Sequence, residues 1–301
     1  MLGENVKIYL SIKHRKVKVC RMNFKIVSDS AADLMVFNSA VPFVSVPLTI
    51  RTNEREFVDN AELNIKEMLD YLEKFKGKSG SACPNVATWK NAFGDSKQVF
   101  GVTITSNLSG SYNAARVAAE EYMKENEGAR VHIFDSLSTG PENVLIIEKI
   151  NELILQDKDF DTIVEEVNEY KSRTHLLFAL ESMHNLANNG RVSPLVAKIA
   201  GILGIRVVGK ASNEGTLEIV SKSRGAKNMM NDIVDNMRIN GFVGGTVRIH
   251  HCENPAASEV LKEKIIAEFP HANVSIYTTT ALCSFYAERG GILVAYEGAK
   301  K

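Results

Sequence analysis

Val99-Phe-Gly-Val-Thr-Ile-Thr105 runs straight into Ser106-Asn-Leu-Ser-Gly-Ser-Tyr112, then into an alanine-rich stretch ending at Lys124, then into Val131-His-Ile-Phe134. The first and last of these are short apolar runs rich in β-branched residues and phenylalanine, which reads as buried strand, and the stretch between them has helical spacing. Strand, polar loop, helix and strand in that order make a crossover between parallel strands. The same alternation extends in both directions from this segment.

Upstream, Phe24-Lys-Ile-Val-Ser28 reads as a strand closed by Asp29-Ser30, and residues 41–50, broken by Pro42 and Pro47, read as extended chain near a sheet edge. Residues 62–75 carry helical spacing through Leu63, Met68, Leu69, Leu72 and Phe75, residues 77–85 read as a loop around Gly80 and Pro84, and a helix through Trp89 and Phe93 follows. Downstream, Asp135-Ser136 closes the second strand and two helices are predicted at 142–156 and 159–172. Near residue 174 the pattern restarts. A strand at 175–180, a helix at 181–188 ending in Asn189-Gly190, an apolar helix at 195–203 and a strand pair at 205–210 and 217–222 around Asn213-Glu-Gly215 lead into alternating helices and strands up to residue 296. The expected fold is α/β in two domains. An N-terminal α/β domain with a parallel sheet spans 23–173, and a C-terminal α/β domain with a mixed sheet spans 174–301. Residues 1–22 form an N-terminal extension.

Composition narrows the function. The chain has 301 residues, 45% of them hydrophobic, with 36 Lys+Arg against 36 Asp+Glu. A zero formal charge disfavours a globally basic nucleic-acid binder, and the apolar fraction disfavours wholesale disorder. No apolar run approaches the ~20 residues of a membrane helix. In the first 22 residues the basic cluster Lys13, His14, Arg15, Lys16, Lys18 follows the apolar stretch instead of preceding it, the reverse of a signal peptide. Cys20, Cys83, Cys252 and Cys283 lie far apart with no CxxC pair, as expected of a cytoplasmic protein without a disulfide framework.

In parallel sheets, ligands gather outside the carboxyl ends of the strands. Asp29-Ser30, residues 106–111 and residues 135–139 all sit at such ends and are expected to meet on one rim. In Thr105-Ser-Asn-Leu-Ser-Gly-Ser-Tyr112, Ser109 or Ser111 suits the helix N-cap and Gly110 permits a tight turn. The unpaired N–H groups of a helix start favour carboxylate or phosphate, although a capped helix without a ligand accounts for the same residues. Ser79-Gly-Ser-Ala-Cys-Pro84 is a second small polar loop, readable as an ordinary turn. Gly190 suits the left-handed position after a helix, leaving Arg191 either for a structural salt bridge or for an anion at the interdomain cleft. There is no GxSxG elbow, no GxGxxG and no GxxxxGK[ST]. His250-His251-Cys252 on a strand would point alternately to opposite faces, so a strand-end histidine in a polar rim is expected there, not a metal site.

Five segments, in order, resemble the DegV family: Ile26-Val-Ser-Asp-Ser-Ala-Ala-Asp-Leu34, Ser81-Ala-Cys-Pro84, residues 105–112, Asp135-Ser-Leu-Ser138 and residues 186–191. The resemblance runs from about residue 24 to 298. It implies a two-domain α/β protein that binds one long-chain fatty acid such as palmitate. It also implies the role of a carrier with no catalysis of its own, similar to the fatty-acid-binding subunit of a bacterial fatty-acid kinase, presenting the carboxylate to a separate ATP-using partner. No cofactor and no metal are implied. By the same resemblance Ser81 and Ser109 hold the carboxylate, with Ser106, Gly110, Arg191 and Tyr286 around it and Asp29 and Ser30 on the rim. Ser81 and Ala82 stand where the family has threonine and serine, and Tyr286 stands where some members have a histidine. A tyrosine donates a hydrogen bond but does not act as an imidazole near neutral pH. The stretches 176–180, 195–203 and 292–294 are candidates to line the acyl tunnel. A second class fits the same rim: an enzyme acting on a small carboxylated or phosphorylated metabolite.

Overall fold

The computed structural model describes residues 23–193 and 204–301. The extension at 1–22 and the apolar helix expected at 195–203 lie outside the described residues. Of the chain's early strands, β1 (Phe24–Asp29) buries Ile26 on one side and Val27 on the other, as a strand covered on both faces must. It pairs in parallel with β2 (Phe43–Val46) and with β6 (Gln98–Thr103), and β6 pairs in parallel with β7 (Arg130–Asp135), giving the order β2-β1-β6-β7. β2, preceded by Pro42 and followed by Pro47, is one of the two edge strands.

Between β2 and β6 the chain makes a small antiparallel sheet that the sequence reading did not anticipate. β3 (Thr49–Thr52) is its centre, flanked by β4 (Glu56–Val58) and β5 (Ser79–Ala82). β5 occupies part of the segment expected to be loop. Ser-Gly-Ser-Ala has little strand propensity of its own, so its ladder with β3 decides the conformation. Helix α1 (Ile65–Lys74), capped by the Asn64 side chain accepting from the Glu67 N–H, packs beside this sheet. Helices α2 (Val86–Phe93) and α3 (Ser111–Glu125) cover one face of the parallel sheet. Helices α4 (Pro141–Leu155) and α5 (Phe160–Lys171) cover the other.

The second half begins at β8 (Thr174–Leu180), followed by α6 (His184–Asn188), β9 (Ile205–Ala211), β10 (Leu217–Arg224), α7 (Gly225–Ile239), β11 (Gly245–His251), α8 (Pro255–Glu268), β12 (Ala272–Thr278), α9 (Ala281–Ala287) and β13 (Ile292–Glu297). Its sheet runs β10-β9-β8-β13-β11-β12 and is mixed: β11 and β12 are parallel and every other neighbouring pair is antiparallel. Alternate residues of β8 serve different cores. Leu177 and Ala179 pack with α7, while Leu176, Phe178 and Leu180 face the N-terminal half.

Buried polar contacts hold the halves together. Asp33, in left-handed conformation (φ 56°), accepts from the Thr280 N–H at 2.8 Å and lies 2.8 Å from His250 Nδ1. Asp59 accepts from the Ala281 and Leu282 N–H groups at 2.8 and 3.0 Å, pinning the start of α9, and burial pushes its carboxyl up to about 6. On the surface, Arg289 pairs with Asp70, Glu73 and Glu253, tying α1 to the second half. His250 is therefore a buried partner of Asp33, not a rim residue.

Candidate functional site

The three polar loops do meet. The Thr105 N–H donates to the Ser138 carbonyl at 2.8 Å, the Ser106 N–H donates to Asp135 Oδ1 at 3.1 Å, and the Ser111 hydroxyl donates to Asp29 Oδ2 at 2.6 Å. The β9–β10 turn closes over them. A Cβ built on Gly215 would stand 2.2 Å from Thr105 Oγ1, and the Asn107 amide donates to the Glu214 carbonyl.

Beneath this rim lies a cavity between the two halves, a concave and mostly apolar space with a few polar groups, as small-molecule sites commonly are. Its wall is apolar: Leu176, Phe178 and Leu180 from β8, Leu293 from β13, Leu282 and Ala287 from α9, with Leu48, Ile104 and Leu108 from the N-terminal half. Four polar side chains singled out from the sequence also line it, namely Ser81, Ser109, Arg191 and Tyr286.

Each of the four arrives by a different local device. Ser81 stands on β5 opposite Ile50 of β3, and its hydroxyl shares a 2.8 Å hydrogen bond with the Tyr286 hydroxyl of α9. Ser109 is held by its own N–H donating to the Thr105 carbonyl at 3.2 Å, and its Oγ accepts from the Ser111 N–H at 3.3 Å. Arg191 follows a Schellman ending of α6. The Gly190 N–H (φ 72°) bonds the Ala187 carbonyl and the Arg191 N–H bonds the Leu186 carbonyl. The guanidinium then donates through Nε to the Leu108 carbonyl at 3.2 Å and through Nη1 to the Asn189 carbonyl. Among the described residues no carboxylate pairs with it.

The remaining sequence-derived candidates stand elsewhere. Asp29 is fully buried beneath the rim, accepting from the Ile104 N–H and the Ser111 hydroxyl, and burial pushes its carboxyl up to about 7. It joins the ends of β1 and β6 to the start of α3. Ser30, also buried, spends its Oγ accepting from the Leu48 N–H at 3.0 Å. Ser106 is exposed and held through its backbone by Asp135. Gly110, not Ser109 or Ser111, is the N-cap of α3; a Cβ there would meet Cys83 Sγ at 3.2 Å. None of these four residues lines the cavity. The tunnel stretches divide by strand alternation: Leu176, Phe178, Leu180 and Leu293 reach the cavity, whereas Leu177, Ala179, Ile292 and Val294 pack on the opposite face. Thr139, Cys283, Leu108 and Leu282 are lining residues that the sequence reading missed. No group of His, Cys, Asp and Glu among the described residues is arranged to hold a metal, and no described helix is long and apolar enough to cross a membrane.

Comparison with known proteins bears on this geometry. A family model described as "Uncharacterised protein, DegV family" matches residues 23–297. A DegV domain-containing protein of Streptococcus pneumoniae is 41% identical over 279 residues, covering 92% of this chain and 99% of its own. Two solved structures are similar throughout. One is a DegV family protein from Eubacterium eligens loaded with heptadecanoic acid (42% identity, TM-score 0.90, 91% of this chain and 99% of the other). The second is the Streptococcus pneumoniae Fatty Acid Kinase (Fak) B3 protein loaded with linoleic acid (41% identity, TM-score 0.89, with the same coverage of 91% and 99%).

Proposed function

The chain belongs to the DegV family, and on that premise we propose that it binds one long-chain fatty acid, with the acyl chain in the cavity between β8, β13 and α9 and the carboxylate at Ser81, Ser109 and Arg191. The observation that carries this reading is the pairing of an apolar cavity with a guanidinium that lacks a carboxylate partner among the described residues. A fatty acid is one anion on a long apolar tail. Burying the tail contributes roughly 0.8 kcal/mol per CH₂, so sixteen carbons outweigh the head group in affinity. The head group sets orientation, through charge-assisted hydrogen bonds that are stronger than neutral ones. In the Tyr286–Ser81 pair one hydroxyl donates to the other, which leaves the second hydroxyl proton free to turn toward a carboxylate.

The protein then acts as a carrier in the cytoplasm. It presents the acid to a separate kinase that supplies the ATP chemistry, and it needs no cofactor or metal of its own. The two halves, 23–173 and 174–301, act as two domains that close on the ligand, each supplying part of the carboxylate site. Tyr286 leaves the carboxylate without an imidazole at that position, so any proton management during phosphorylation falls to the partner.

Native mass spectrometry of protein purified without added lipid tests the reading. The expected result is a mass excess equal to a C14–C18 acid, lost on organic extraction. A protein that is empty and turns over a soluble carboxylated or phosphorylated metabolite would overturn it in favour of the enzyme.

A further inference from the structure

The loop that carries Ser109 joins the end of β6 to the start of α3, and β6 runs between β1 and β7 in the parallel sheet. Both neighbouring strands end in an aspartate, Asp29 on β1 and Asp135 on β7. The two hold the loop differently. Asp135 accepts from the Ser106 and Leu137 N–H groups at 3.1 Å each, steadying the outer turn where Ser106 is exposed. Asp29 takes both ends. Its Oδ2 accepts from the Ile104 N–H at 3.0 Å, where the chain leaves β6, and from the Ser111 hydroxyl at 2.6 Å, where α3 begins. One fully buried carboxylate thus clasps residues 105–110 at their entry and exit.

The clasp reaches the cavity through its own partners. Ile104, Leu108 and Ser109 all line the cavity, whereas Asp29 and Ser111 do not. Ser111, fixed by Asp29 through its hydroxyl, donates its N–H to Ser109 Oγ at 3.3 Å. A serine oxygen carries one proton and two acceptor sites. Accepting from Ser111 engages a lone pair of Ser109 Oγ and leaves its proton for another acceptor. Hydrogen bonds to an ionised carboxylate are shorter and roughly twice as strong as neutral ones, so an aspartate holds Ser111 more firmly than a neutral residue would. Burying that carboxylate costs stability, and a neutral cap would join the strand ends to α3 without this cost.

We infer that Asp29 is a positioning residue that, acting through Ser111, aims the Ser109 hydroxyl at the carboxylate of the bound acid. This rests on the fatty-acid reading above. Asp29 touches no ligand; it sets where the loop enters and leaves, and Ser109 delivers the hydrogen bond.

The test compares palmitate with hexadecanol, the same tail under a neutral head group. Both are titrated calorimetrically into wild type, Asp29→Asn, Ser111→Ala and Ser109→Ala, and into Ser109→Ala chains that also carry either of the other two changes. A buffer at about pH 8.5 keeps Asp29 ionised, since burial pushes its carboxyl up to about 7. Palmitate affinity is expected to fall about threefold in Asp29→Asn, which keeps an oxygen for Ser111 but not the charge, and about fivefold in Ser111→Ala. Hexadecanol affinity stays within about twofold of wild type in both. In the Ser109→Ala chain neither change lowers palmitate affinity further, because the hydroxyl they aim is gone. Ser111→Ala places the best helix former at the helix start and carries the test alone if Asp29→Asn does not fold. Palmitate affinity unchanged in the folded variants, a loss shared equally by hexadecanol, or a loss undiminished in the Ser109→Ala chain overturns this inference alone. A wild type that binds neither ligand overturns the fatty-acid reading and this inference with it.

Discussion

Leu176, Phe178 and Leu180 reach the cavity from one strand by alternation alone, whereas Ser81, Ser109, Arg191 and Tyr286 reach it from a strand, a loop, a helix-ending turn and a helix. This side of the wall is one regular strand, and a change at one position leaves the others where they are. The rim is a convergence of four segments, and each depends on turn geometry supplied by residues that touch no ligand. The difference predicts where substitutions should hurt: hardest at remote positions that aim the rim, mildly at the wall itself.

The largest effect is therefore expected at Gly215, outside the cavity. Its φ is 79°, and a Cβ would meet Thr105 Oγ1 at 2.2 Å and Leu137 Cα at 2.9 Å. Gly215→Val should cost about 2–3 kcal/mol in denaturant unfolding through strain and overpacking. It should also lower acid affinity more than tenfold by displacing the Thr105 loop that carries Ser109. Unchanged affinity would mean that the rim is not set from this turn.

Ser109→Ala comes next. It removes a hydroxyl from the carboxylate site and the acceptor of the Ser111 N–H. Ser111 does not take over as a cap, because its own hydroxyl is committed to Asp29. Acid affinity should fall roughly tenfold, the worth of a hydrogen bond to a charged group, and stability by about 1 kcal/mol. Isothermal titration with palmitate and a melting curve separate the two. An affinity equal to wild type would remove Ser109 from the site.

The smallest effect belongs to the wall. Leu176→Met conserves volume and should cost less than about 1.5 kcal/mol, with acid affinity within about threefold of wild type in the same titration. A larger loss would show that the wall is as finely fitted as the rim.

The same contrast explains how much could be read from the chain. The parallel sheet, the mixed second sheet and the convergence of three loops follow from apolar alternation and from the rule that parallel strands place their loops at one end. The wall was legible only as whole stretches, 176–180 and 292–294; which alternate residues face the cavity is decided by how the two halves pack. β5 was not, because Ser79-Gly-Ser-Ala82 carries no strand signal and is ordered only by β3. Asp29 and Ser30 look like rim residues in sequence. Their burial is decided by what packs over them, the start of α3 for one and the Leu48 amide for the other. Tyr286 has no local signature at all, and its place beside Ser81 is a product of tertiary contact. Asp33 and Asp59 went unread for the same reason: their partners at 250 and 280–282 are some two hundred residues away.

A crystal structure of the protein with palmitate bound decides whether the acid lies in this cavity and at which end its carboxylate sits. The acyl chain is expected along Leu176, Phe178 and Leu293, with carboxylate oxygens at about 2.5–3.0 Å from Ser81 Oγ and Ser109 Oγ and the Arg191 guanidinium beside them. A chain lying outside the cavity, or inside it with the carboxylate at the opposite end, would contradict this placement.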